Sequence, residues 1–96
     1  MERIENINGV EFTFKTISLE KYYEIREEYE RTGNKVLFEK KLIFNTVSSW
    51  NRKDEKGVSV PLTMQSLFSF LTLSEYQKID RIVQEVNGLS DIEKKT

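Results

Sequence analysis

Ile7-Asn8-Gly9-Val10-Glu11-Phe12-Thr13-Phe14 is the stretch that decides between an all-helical chain and a mixed one. Asn8-Gly9 is a two-residue hairpin signal, because a type I′ turn needs positive φ at both central positions. After it, Val10, Phe12 and Phe14 alternate with Glu11, Thr13 and Lys15, the period of a strand with one buried face. The reading is a β-hairpin over residues 3–16. A two-residue turn sets Ile7 opposite Val10 and Glu5 opposite Phe12, which leaves Ile4 facing the wrong way. A short or bulged first strand would resolve that conflict.

Everything downstream of the hairpin reads as helix or loop. Ser18 can accept from exposed backbone N–H groups and so cap a helix over residues 19–32, with Gly33-Asn34 as its stop. Leu19, Tyr22, Ile25 and Tyr29 share one face of it, with Tyr23 beside them. Glu24, Glu27, Glu28 and Glu30 coat the other side as a solvated acidic face. A second helix is predicted over residues 35–50. Val36, Ile43, Val47 and Trp50 lie on one face, and Leu37, Phe38, Leu42 and Phe44 widen it. That is more apolar circumference than a surface helix carries. Either it is the central helix or part of it meets a partner.

Residues 51–61 are polar, charged and aperiodic, and close on Pro61, so they read as an exposed loop. Thr63 can cap a short helix over 63–71. Ser74-Glu75-Tyr76-Gln77 matches a capping box for a last helix over 75–87, with Gly88 as its stop. The fold class is therefore α+β: mainly helical, an N-terminal β-hairpin packed on three to four helices, one globular domain over 1–89 and a flexible tail over 90–96. The expected core comprises Phe12, Phe14, Leu19, Tyr22, Ile43, Val47, Leu67, Leu71, Ile79, Val83 and Val86.

Composition then narrows the function. The 96 residues include no histidine and no cysteine, which removes Ser-His-Asp and Cys-His chemistry, Cys/His zinc sites, iron–sulfur clusters and disulfides. The carboxylates show no paired-acid cleft and no EF-hand spacing, and the four glycines form no phosphate loop. No catalytic, cofactor-binding or metal-binding residue is assigned, and the expectation is a protein without cofactor that is not an enzyme. The charged N-terminus is no signal peptide and no stretch is long and apolar enough to span a bilayer, so a cytoplasmic protein with no membrane partner is expected.

The net charge of −1 hides an uneven distribution: residues 1–34 carry −3, residues 35–57 carry +3 and residues 58–96 carry −1. Lys40, Lys41, Arg52 and Lys53 are the nearest thing to a basic patch. An alternative function is a small nucleic-acid-binding or regulatory module built on them. Asp54 and Glu55 interrupt that footprint, and a solvated face is the plainer reading. A third reading, an enzyme subunit whose chemistry lies on a partner chain, has only the carboxylate count behind it. The aromatics point elsewhere. Most must close the core, yet Phe68, Phe70 and Leu71 cannot all point one way on a helix. An exposed aromatic patch is expected around Trp50, Phe70 or Tyr23, and Tyr23, Phe38, Leu42, Trp50 and Phe70 are the candidate partner-binding residues.

The order of segments resembles a known family. Ile7-Asn8-Gly9-Val10-Glu11-Phe12 leads into Lys15-Thr16-Ile17-Ser18-Leu19-Glu20-Lys21-Tyr22. An apolar helix, a charged linker and the block Leu73-Ser74-Glu75-Tyr76-Gln77-Lys78-Ile79 … Glu85-Val86-Asn87-Gly88-Leu89-Ser90 follow. This layout, over most of the chain, resembles the tail assembly chaperones of long-tailed bacteriophages. The resemblance implies a small, mainly helical, non-enzymatic protein of the host cell cytoplasm. Such a protein keeps the tape-measure protein soluble and recruits tail-tube subunits, with self-association possible; the near-zero net charge separately argues against a nucleic-acid partner. The resemblance carries over a role and no site residues.

Overall fold

The computed structural model describes residues 2–89; the expectation of a flexible tail at 90–96 lies outside them. In chain order the elements are β1 (Glu2–Ile7), β2 (Val10–Lys15), α1 (Leu19–Thr32), α2 (Lys35–Thr46), β3 (Val47–Trp50), α3 (Met64–Phe70) and α4 (Leu73–Val86). The fold is α+β: a three-stranded antiparallel sheet in the order β1-β2-β3 carries four helices.

The hairpin forms as its turn chemistry demands. Asn8 and Gly9 take φ of 52° and 86°, the left-handed pair of a type I′ turn. The register runs unbroken from Ile7↔Val10 through Glu5↔Phe12 to Glu2↔Lys15. The expected short or bulged first strand is therefore corrected. β1 is regular, and it tolerates Ile4 on the outer face, 59% exposed.

The predicted second helix, 35–50, is also corrected. It ends at Thr46, and Val47–Trp50 is a strand on the far side of β2. Val47 and Trp50 are an odd number of residues apart, so a regular strand would turn them to opposite faces. A register shift between Thr13 and Phe14 instead sets Val47 opposite Phe14 and Trp50 opposite Phe12, with both on the core side. Ser48 Oγ donates to the Thr13 carbonyl at 3.1 Å across the irregularity.

Ser18 caps α1 by accepting from Lys21 N–H, and Gly33, at φ 70°, ends it by donating to the Tyr29 carbonyl. For α4 the expected cap, Ser74, is corrected to Thr72. Thr72 accepts from Glu75 N–H, and the Glu75 carboxylate accepts from Thr72 N–H in return. Thr72-Leu73-Ser74-Glu75 meets the same capping-box pattern two residues earlier, and the helix starts there, before the predicted residue 75. Residues 51–61 are exposed for most of their length but fold back on themselves. Val60 N–H donates to the Arg52 carbonyl, Asp54 N–H to the Val58 carbonyl, and Trp50 Nε1–H to the Val60 carbonyl.

The core lies between the inner sheet face and α2, α3 and α4. Phe12, Phe14, Ile43, Leu67, Ile79 and Val83 are fully buried, with Ile7, Leu42, Val47 and Ile82 around them. The width of apolar surface on α2 now has its reason, since this helix packs against α1, α3 and α4. Leu19 departs from the expected core at 66% exposure, because it opens α1 and α1 packs mainly on α2. Tyr22, Leu71 and Val86 are half-buried at the rim.

Candidate protein-binding surface

The capping chemistry of two consecutive helices shapes an apolar groove. Leu71 leaves helical geometry at ψ 138° and Thr72 immediately caps the next helix, so α3 and α4 meet at a corner with no linker. Leu73 occupies the first turn of α4 directly after that cap and projects outward, 74% exposed. Across from it the first turn of α2 presents Val36, 62% exposed. Between these lips, half-buried Phe68, Leu71 and Tyr76 line the same groove, with a cavity of about 270 Å³.

Its rim carries charge. Lys40 places its ammonium 5.5 Å from the centre of the Phe68 ring, within cation–π range. The Tyr76 hydroxyl donates to Glu39 Oε2 at 3.3 Å, joining α4 to α2. Partial burial pushes the Tyr76 phenol up to about 12, helped by the Glu39 and Asp80 carboxylates. This arrangement offers an apolar slot with one acidic and one basic side chain at its edge. It suits insertion of apolar side chains from a partner helix. Among the described residues no cluster of three or more acidic side chains is grouped to hold a metal ion.

The sequence-predicted binding residues are not brought to one place. Leu42 is corrected: it is 3% exposed and lies in the core, where it offers no surface. Phe38 is half-buried between α1 and α2, its ring centre 4.9 Å from that of Tyr29. Tyr23, 54% exposed, stands with Leu19 and Tyr22 on a separate patch at the start of α1. Trp50 and Phe70 do meet, edge to face at 6.4 Å. They continue a line of rings from buried Phe14 and Phe12 out to Arg52, whose guanidinium lies 5.3 Å from the Phe70 ring centre.

The four basic candidates are likewise dispersed. Lys40 turns to Phe68 on α3, Arg52 turns to Phe70, and Lys53 is exposed in the folded-back loop. Lys41 turns the other way and pairs with Glu28 of α1. That hydrogen bond, with the Lys41 charge and more distant Arg31, holds the Glu28 carboxyl below its ordinary range. It is one point at which the acidic first segment and the basic second segment meet within the fold.

Sequence reasoning missed Leu73 as a surface residue and assigned Leu71 wholly to the core. One signal was present. Leu71-Thr72-Leu73 sets apolar residues on both sides of a cap, and a corner that tight cannot turn both inward. No protein-family model, curated protein or solved structure matches the chain.

Proposed function

We propose that this chain is a non-enzymatic binding protein that receives an apolar-striped helix in the groove between Val36 and Leu73. On the layout it shares with tail assembly chaperones, we propose that the helix belongs to a tape-measure protein, which the chain keeps soluble while tail-tube subunits are recruited. A tape-measure chain is long and helical with an apolar face, and it aggregates when that face is bare.

The single observation that supports this reading is the grouping of exposed Val36 and Leu73 over a floor of Phe68, Leu71 and Tyr76. Scattered exposed apolar residues need no explanation, whereas a grouped set bordered by charge is the mark of an interaction site. Co-expression with a tape-measure protein tests it. The expected result is a soluble complex that Leu73→Asp or Val36→Asp abolishes. A tape-measure product whose solubility is the same with and without this chain overturns the reading.

A further inference from the structure

The free edge of β1 carries a proposal independent of the groove. In a two-residue hairpin the residues flanking the turn exchange both backbone hydrogen bonds, and bonded pairs then alternate along the strands. With Ile7↔Val10 flanking the turn, Ile7, Glu5 and Arg3 direct their N–H and C=O groups to β2. The backbone groups of Glu2, Ile4 and Asn6 therefore point away from the sheet. The opposite side of β2 keeps the same phase: Glu11 directs its N–H to Asn51 Oδ1 at 2.8 Å and its carbonyl to Asn51 N–H at 3.2 Å. Among the described residues no hydrogen bond reaches the backbone of Glu2, Ile4 or Asn6 from that edge. Ile4 is also one of the most exposed large apolar residues, at 59%.

The side chains say which strand the edge accepts. Arg3 and Glu5 sit on the same sheet face as their partners Phe14 and Phe12, so an edge strand carries two charges on its core side. Within the chain Arg3 donates to Glu5 Oε2 at 2.9 Å and to Glu85 Oε1 at 3.1 Å, and an apolar strand would strip water from these charged groups while offering them no further partner. A second copy of β1 is different. Antiparallel pairing about a two-fold axis through Ile4 sets Ile4 against Ile4, Glu2 against Asn6, and Arg3 of each copy against Glu5 of the other. It uses only the outward-pointing backbone groups for its hydrogen bonds. Arg3 and Glu5 fall in the non-hydrogen-bonded pairs, where side chains lie closest. Moving the axis to Arg3 or to Glu5 sets like charges against each other, so one register satisfies both backbone phase and charge.

We infer that the chain forms a two-fold dimer by β1–β1 pairing, making a continuous six-stranded sheet with the helices of both copies on one face. Sedimentation equilibrium of the wild-type chain and two charge variants tests this. The wild type is expected to associate to twice its 11.4 kDa mass. Arg3→Glu and Glu5→Arg are each expected to sediment as monomers, since each sets like charges against each other at both cross-strand positions. An equimolar mixture of the two variants is expected to recover the dimer, because every position then faces an opposite charge. An unfolded variant could not recover it. Ile4→Pro, which removes an outward N–H without touching the β1–β2 ladder, is expected to be folded by circular dichroism and monomeric by sedimentation. The inference is overturned if the wild type remains monomeric up to about 1 mM. It is equally overturned if the single charge variants dimerise like the wild type, or if their mixture stays monomeric.

Discussion

Asn8, in the hairpin turn, donates from Nδ2 to Oε2 of Glu75, which closes the capping box of α4, at 3.1 Å and across 67 positions of sequence. The other carboxylate oxygen of Glu75 accepts from Thr72 N–H at 2.9 Å. One side chain thus ends a helix and anchors the hairpin to it, and at 5% exposure it is buried. The Thr72 backbone N–H holds the Glu75 carboxyl below its ordinary range, and the Asn8 and Thr72 side chains and the Arg52 charge add to this against the cost of burial.

Glu75→Ala is accordingly expected to destabilise the fold by about 2 kcal/mol, through a lost cap and an orphaned Asn8 amide. Glu75→Gln, which keeps an acceptor oxygen, is expected to lose less. The carboxyl's depressed value also sets a pH dependence. Its ionisation stabilises the fold above the unfolded value near 4.5, and this contribution is lost as pH falls through the lower folded value. The stability gap between wild type and Glu75→Gln should narrow in that acid window. Urea denaturation of both proteins over a pH series measures it.

Tyr76 supplies the opposite sign at the other end of the scale. Its phenol is pushed from 10 up to about 12, so the folded state holds a proton that the unfolded state releases first. Stability is therefore full below pH 10 and falls as pH rises from there through 12. Ultraviolet titration is expected to show one of the four tyrosines ionising last. Tyr76→Phe should remove that late component and flatten the alkaline decline.

Asn87 joins three segments at the close of α4. Its Oδ1 accepts from Ile17 N–H at 3.0 Å. Its Nδ2 donates to Thr46 Oγ1 and to the Val83 carbonyl, each at 3.0 Å. The fully buried Thr46 hydroxyl in turn donates to the Leu42 carbonyl at 2.8 Å. Asn87→Ala strands Ile17 N–H and is expected to cost about 2 kcal/mol in equilibrium unfolding. Asn87→Asp should cost more, because a carboxylate cannot donate to Thr46 or Val83 and brings an unpaired charge to the rim of the core.

Leu73 separates binding from stability. It is 74% exposed in the first turn of α4, where an acidic residue also suits the helix dipole. Leu73→Asp is expected to leave the unfolding free energy within about 0.5 kcal/mol of wild type. The same change should abolish solubilisation of the tape-measure product, measured as its soluble fraction on co-expression. Loss of stability alongside would place Leu73 in the core instead.

The hairpin turn, the first helix and the stops at Gly33 and Gly88 were legible because each is decided within a few residues. A type I′ turn, a Ser18 cap or a left-handed glycine depends on neighbours no more than about four positions away. Two helix boundaries were misread by the same local logic. Thr72 and Ser74 both satisfy a cap pattern, and the choice fell to the buried carboxylate of Glu75, which finds Asn8 only once the hairpin is docked. Val47–Trp50 continues an apolar helix pattern. It becomes a strand because β2 offers a free ladder there and a register shift brings both Val47 and Trp50 onto the core.

The candidate site divides the same way. Sequence marked α2 as too apolar for a surface helix, and Trp50 and Phe70 as surplus aromatics. It could not say that α1, α3 and α4 would cover, at least in part, every apolar residue of α2 but Val36, or that Leu42 would be sealed inside. An apolar stripe reports how much surface must be buried, and only the packing of the other helices decides which part is left for a partner. By itself, then, the sequence determined the hairpin turn, the Ser18 cap and the α+β class, whose energies are local. The tertiary structure decided the third strand, the groove and the free edge of β1, because each depends on which distant segments arrive to share hydrogen bonds and apolar surface.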